Sequence, residues 1–142
     1  MLPLTGILFT SFAMTFIGAQ EDANKKATKQ LQGIWQVVSI TTKDAVRQKA
    51  DIKLTFQGNQ IVSSSNKRRS TFTIDAGKNP KHIDIRPESK KSKKILSIYK
   101  IENETLTFCT YNFGRGQPRP KAFRVEKGTD QMLIVLKQVA PK

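Results

Sequence analysis

The sequence predicts an all-β chain: an antiparallel up-and-down barrel of about eight strands behind a short N-terminal helix. Three observations carry this. Short runs of alternating apolar and polar residues recur from residue 34 to residue 138, with no long helical periodicity between them. Clusters of turn formers, such as Gly58-Asn59, Ala76–Pro80 and Lys127–Asp130, separate the runs. The single tryptophan, Trp35, stands two residues after Gly33, where a polar helix-forming segment meets the first strand-like run. That placement puts the indole where it can plug one end of a barrel. An open sheet of so many strands would expose long edges, and closure removes them.

Taken in order, residues 1–20 (MLPLTGILFTSFAMTFIGAQ) carry no charged side chain, and the composition changes abruptly at Glu21 and Asp22. This is the pattern of an export signal, with cleavage expected after Ala19 or Gln20. No Lys or Arg precedes the apolar run, which is also long enough to span a bilayer, so an uncleaved N-terminal anchor is the alternative. Either leader places the domain of residues 21–142 outside the cytoplasm, periplasmic or extracellular. Residues 22–32 are helix formers that stop at Gly33 and are expected to lie across one barrel end as a lid, with Ala27, Leu31 and Ala23 turned to the core.

The first strand is expected at 34–41, with Trp35, Val37 and Ser39 on one face and Ile34, Val38 and Ile40 on the other. Residues 43–50 form a charged connection with one helical turn. Residues 52–57 point Ile52, Leu54 and Phe56 inward, and Gly58-Asn59 turns the chain into a weaker strand at 60–65. After the basic turn Asn66–Arg69, residues 70–75 carry Phe72 and Ile74 on one face. Residues 81–86 carry Ile83 and Ile85 on one face and His82, Asp84 and Arg86 on the solvent side. A cationic loop, Pro87–Lys94, leads to strands at 95–101 (Tyr99 and Ile101 on one face) and 105–111 (Leu106 and Phe108 inward). A Gly/Pro loop at 112–120 precedes a last hairpin, 121–126 with 131–138, in which Phe123 points inward.

The chain of 142 residues suits one domain. Its apolar share of 37% is low for a globular chain, yet the apolar residues cluster and alternate, which argues against disorder. A net charge of +14 attracts polyanions such as acidic polysaccharide, anionic lipid or nucleic acid, and also keeps an exported protein monomeric by repulsion. The single cysteine, Cys109, rules out an intrachain disulfide, and with His82 as the single histidine a His/Cys metal cluster is not expected. No cofactor is expected either.

The ordered set of landmarks resembles a known family. Leu31-Gln32-Gly33-x-Trp35-x-Val37-Val38-Ser39 opens it, followed by Leu54-x-Phe56-x-Gly58 and Asn79-Pro80-Lys81-His82-Ile83-Asp84-Ile85. Ile98-Tyr99-Lys100-Ile101, Leu106-Thr107-Phe108-Cys109, Arg119-Pro120-x-x-Phe123 and Leu133-x-Val135-Leu136-Lys137 complete it. Over residues 29–138 the chain is similar to a family of small exported lipocalin-like domains of unknown function, expanded in planctomycete bacteria. It departs from the family pattern at Ser97 and Asn103, where glycines are usual. The resemblance implies a lipocalin-like barrel and no established activity. In such barrels a basic residue near the end of the last strand packs on the Gly-x-Trp indole, and Lys137 is the positional candidate.

No residue set satisfies a catalytic pattern. Cys109 reads as a buried structural thiol, and Ser63-Ser64-Ser65 has no nucleophile-elbow glycines. No carboxylate pair sits in a clear apolar pocket, and no Gly-rich phosphate loop is present. The chain is therefore expected not to be an enzyme. Arg119, after a flexible Gly-x-Gly segment, is a candidate cation at the barrel mouth for a ligand carboxylate or phosphate, or a structural arginine. Two functions remain. One is binding of a small apolar or anionic ligand in the barrel, lined by Phe56, Phe72, Tyr99, Phe108 and Phe123. The other is an envelope interaction module whose basic clusters, Lys67-Arg68-Arg69, Lys90-Lys91 and Lys93-Lys94, meet an anionic polymer or partner protein. Nucleic acid fits the charge but not the leader, and the basic clusters lack interleaved aromatics.

Overall fold

The computed structural model describes residues 15–48, 51–112 and 114–139. It contains one helix, α1 (Thr15–Leu31), and nine strands: β1 (Gly33–Thr41), β2 (Val46–Gln48), β3 (Lys53–Gln57), β4 (Gln60–Ser63), β5 (Arg69–Asp75), β6 (Lys81–Pro87), β7 (Ile95–Glu102), β8 (Thr105–Tyr111) and β9 (Gln131–Gln138). Neighbours pair antiparallel in the order β2-β1-β3-β4-β5-β6-β7-β8-β9, and β9 pairs back with β1. Eight strands, β1 and β3 to β9, thus make a closed up-and-down barrel of lipocalin-like form, and β2 is an appendage on β1.

The predicted strands agree with this arrangement except in two places. Residues 43–50 were expected to hold a helical turn; instead β2 folds back on the distal half of β1, with Ser39 opposite Gln48 and Thr41 opposite Val46. Residues 121–126, expected to be half of a hairpin with β9, form no strand. Both edges of β9 are already taken, by β8 and β1, so no edge remains for a further strand.

One register detail corrects the expected faces of β1. Val37 lies opposite Leu136 and Ser39 opposite Val135, so Val38 is an extra residue, a β-bulge. Beyond it the alternation is inverted. Ile40 pairs with Ile134 and packs against the core with Trp35 and Val37, rather than facing the other way.

α1 closes the end of the barrel where β1 starts. Its span begins upstream of the expected residue 22 and runs through the expected cleavage point; the leader residues 1–14 lie outside the described residues. Among the described residues no helix is long and apolar enough to cross a membrane. Ala27 and Leu31 are buried as expected, whereas Ala23 is exposed. Trp35 is 1% exposed and its Nε1 donates to the Leu31 carbonyl at 2.8 Å. That carbonyl belongs to the last helical turn, which has no partner of its own within the helix. Gln32 makes a second seal. Its Nε2 donates to Gly58 O at 2.9 Å and its Oε1 accepts from Gly58 N at 2.7 Å, tying the helix end to the β3–β4 turn. Gly33, between these two, has φ +115°, a conformation that side-chain-bearing residues rarely adopt.

The β8–β9 connection is the other departure from a plain barrel. Residues 114–130 fold back along the outside of β6, β7 and β8 as a strap. Ile98, Cys109 and Tyr111, on the outer faces of their strands, are buried beneath it. At its start Gly114 passes so close to Lys93 that a Cβ would collide with the Lys93 carbonyl, so only glycine fits.

Candidate functional site

The residues proposed to line a ligand site separate into two groups. Phe56, Phe72, Tyr99 and Phe108 point into the barrel and pack on one another. Phe56 meets Phe72 edge-on at 5.6 Å and stacks on Phe108 at 6.1 Å, and Tyr99 tilts against Phe108 at 6.5 Å. With Leu31, Trp35, Val37, Ile61, Ile83, Leu106 and Leu136 they form the core cluster that fills the helix end of the barrel. Each such aromatic pair contributes about 0.5–1.5 kcal/mol beyond area burial. Tyr99 is 2% exposed, and its hydroxyl has no partner among the described residues. Burial pushes its pKa up to about 12. Ser97, one of the departures from the family pattern, also faces inward: its hydroxyl pairs with that of Thr110 at 2.7 Å, so both buried groups are satisfied.

Arg119 and Phe123 are outside the barrel, on the strap. This corrects the inward placement expected for Phe123, whose ring lies 4.9 Å from Lys100 Nζ on the outer face of β7. Arg119 is not at the mouth. Its Nη1 donates to Ser97 O at 2.8 Å and its Nη2 lies 2.7 Å from Asp84 Oδ1. That carboxylate oxygen is buried and takes no aligned hydrogen bond, so the contact is held by charge. Lys94 stands 3.6 Å from the other oxygen. The strap is further fixed by Tyr111 Oη donating to Pro118 O at 2.7 Å and Cys109 Sγ donating to Arg124 O at 3.5 Å. Arg119 is therefore a structural arginine pinning the strap across β6 and β7. Asp84, its partner, stood in the sequence as part of the Asn79–Ile85 landmark and as a charge on an outward position, with nothing there to pair it with Arg119.

Lys137 does not stack on the indole. It pairs in register with Gln36, on the face opposite Trp35, and is exposed. The parity of the strand forbids the expected contact, and the indole is sealed by Leu31 instead.

Cys109 and His82 end up in one row across the sheet, because Ile98 pairs with both. Ile98 stands between them, and two strand spacings amount to about 10 Å. Burial raises the Cys109 thiol pKa, and burial followed by the Arg119 charge lowers that of His82. Neither shift activates a thiolate–imidazolium pair. Among the described residues no group of His, Cys, Asp and Glu is arranged to hold a metal ion.

The open end of the barrel is different in kind. The β4–β5 turn and the β6–β7 loop both leave from that end and lie side by side, tied by Glu88 N donating to Arg69 O at 3.2 Å. Adjoining clefts run along them. One of about 490 Å³ is lined by Arg86, Ser89, Lys90, Ser92, Lys93 and Lys94. Its neighbour, about 380 Å³, is lined by Arg68, Arg69, Ser70, Ser89 and Ser92. Glu88 is the one carboxylate in the lining of either cleft. Among the described residues no carboxylate lies in ion-pair reach of Arg68, Arg69, Arg86, Lys90, Lys91 or Lys93. Ile40, Ile52, Ile85 and Ile134 are partly buried on the inner wall towards this end, as are Ile74 and Ile101 towards the helix end.

No family profile, curated protein or solved structure matches this chain. What is established is the architecture, a lipocalin-like eight-stranded barrel closed at one end by a helix and overlaid on one side by a strap.

Proposed function

We propose that the chain is a non-catalytic, exported binding module of the lipocalin-like family its motifs resemble, and that it engages an anionic polymer or acidic partner of the cell envelope through the open-end loops. The observation that carries this is the set of cations, without a carboxylate partner among the described residues, that two separate connections bring to adjoining clefts. Isolated surface cations are ordinarily dispersed or matched by carboxylates. A patch left unmatched concentrates a positive field that attracts polyanions and weakens with salt. The filled aromatic core argues against a deep interior site, which is why this reading stands above a carrier function.

Retention on a sulfated-polysaccharide resin tests it. The chain should elute late at low salt and early at high salt. Replacing Lys90, Lys91, Lys93 and Lys94 with Ala should shift elution to lower salt, whereas unchanged retention would remove the proposal's basis. A second reading, a small apolar ligand seated at the open end, is favoured only by the partly buried Ile40, Ile52, Ile85 and Ile134. A retained lipid in native mass spectra of protein from its own host would support it.

A further inference from the structure

We infer that the open-end clefts are built for tetrahedral oxyanion esters, phosphate or sulfate, carried in series on one polymer, rather than for carboxylates. The inference rests on the anionic-partner proposal above and adds the chemical class. A carboxylate offers two coplanar oxygens, which one arginine fork or a pair of lysines satisfies. A phosphoryl or sulfuryl ester offers oxygens in three directions and takes donors from more than one wall. The smaller cleft draws such residues from two connections: Arg68 and Arg69 where the β4–β5 turn enters β5, and Ser89 and Ser92 on the β6–β7 loop. Hydroxyls add directed donors without adding charge, which a site selecting by charge alone would not need.

The serial arrangement follows from shared lining. Pro87, Glu88, Ser89 and Ser92 belong to both clefts, so one short wall separates the Arg68/Arg69 cleft from the Lys90/Lys93 cleft. Two groups on one chain can enter both sides of that wall, and the second then binds at the raised effective concentration of a tethered partner.

The test uses the full chain and three labelled polymers matched in length and charge density at one ionic strength: dextran phosphate, dextran sulfate and polygalacturonate. Dextran phosphate or dextran sulfate should bind at least about tenfold more tightly than polygalacturonate, and whichever of the two binds better names the ester. Ser89→Ala with Ser92→Ala should weaken that polymer about fivefold while leaving polygalacturonate unchanged, and free inorganic phosphate should compete poorly at equal phosphate concentration. Equal binding of all three polymers, with loss in an Arg68→Gln, Arg69→Gln variant, would overturn this inference and leave the anionic-partner proposal standing. No binding to any of the three would overturn both. Arg68, Arg69 and Ser89 are exposed and Ser92 is half-buried, so unchanged melting of the variants separates binding from folding.

Discussion

Trp35 Nε1 donates to the carbonyl of Leu31 at 2.8 Å, and both residues are buried. One bond thereby joins the last turn of α1 to the first strand of the barrel and makes helix and floor a single unit. Replacing Trp35 with Phe keeps an aromatic ring but leaves a cavity and an orphaned buried carbonyl. The expected loss is about 2–4 kcal/mol in denaturant unfolding. A loss under 1 kcal/mol would mean that the helix is not held by the indole.

The unpartnered hydroxyl of Tyr99 gives a change of opposite sign. Tyr99→Phe removes a buried polar atom that nothing satisfies, so stability should rise by about 1 kcal/mol at neutral pH. The pH dependence follows from the same group. Its folded-state pKa is about 12 against an ordinary 10, so the unfolded chain ionises first. Its contribution is full below pH 10 and is lost as pH rises towards 12. Alkaline unfolding curves should show that decline in the parent and a flatter profile in Tyr99→Phe.

The β7–β8 turn places Asn103 at φ 47° and Glu104 at φ 64°, both in the left-handed region. Asn tolerates it, but Glu does so at a cost of about 1 kcal/mol. Glu104→Gly should raise the melting temperature by about 3 °C. A lowered melting temperature would mean that the Glu104 side chain contributes more than its backbone strain removes.

The strap stands or falls with Arg119. Arg119→Met strands the buried Asp84 Oδ1 and leaves the carboxylate only Lys94, 3.6 Å from its other oxygen; it should cost about 1–3 kcal/mol, concentrated in opening of residues 114–130. Cys109, 0% exposed beneath the strap, reports on that opening. Its alkylation by a small maleimide should accelerate about tenfold or more in Arg119→Met, and Asp84→Asn should act in the same direction. An unchanged rate in both would show that the strap is held by its other contacts.

The barrel was legible because its strands alternate cleanly, its turns carry Gly, Asn and Pro, and Gly33 and Trp35 mark the helix–strand junction. What was not legible depends on closure. Lys121–Glu126 alternates like a strand, yet a closed barrel offers it no free edge, so Phe123 packs outside and Arg119 pins the strap instead of guarding a mouth. Val38 looks like an ordinary strand residue, and only the pairing with β9 shows it as the bulge that turns Ile40 inward. Lys137 sits one position out of phase for the indole. The basic clusters were visible from composition, but their meeting required knowing that the β4–β5 and β6–β7 connections leave the same end. Gln32, which seals the β3–β4 turn, belonged to the landmark that opens at Leu31, but nothing in the sequence tied it to Gly58.

The most direct test of the central claim is a residue-resolved titration: amide shifts of the isotope-labelled full chain during addition of a short sulfated or phosphorylated oligomer. Shifts that saturate together at residues 67–70 and 86–93, and that vanish at high salt, are the predicted result. Shifts centred on the inward faces around Phe56, Tyr99 and Phe108, or spread over the helix lysines Lys25, Lys26 and Lys29, would contradict it.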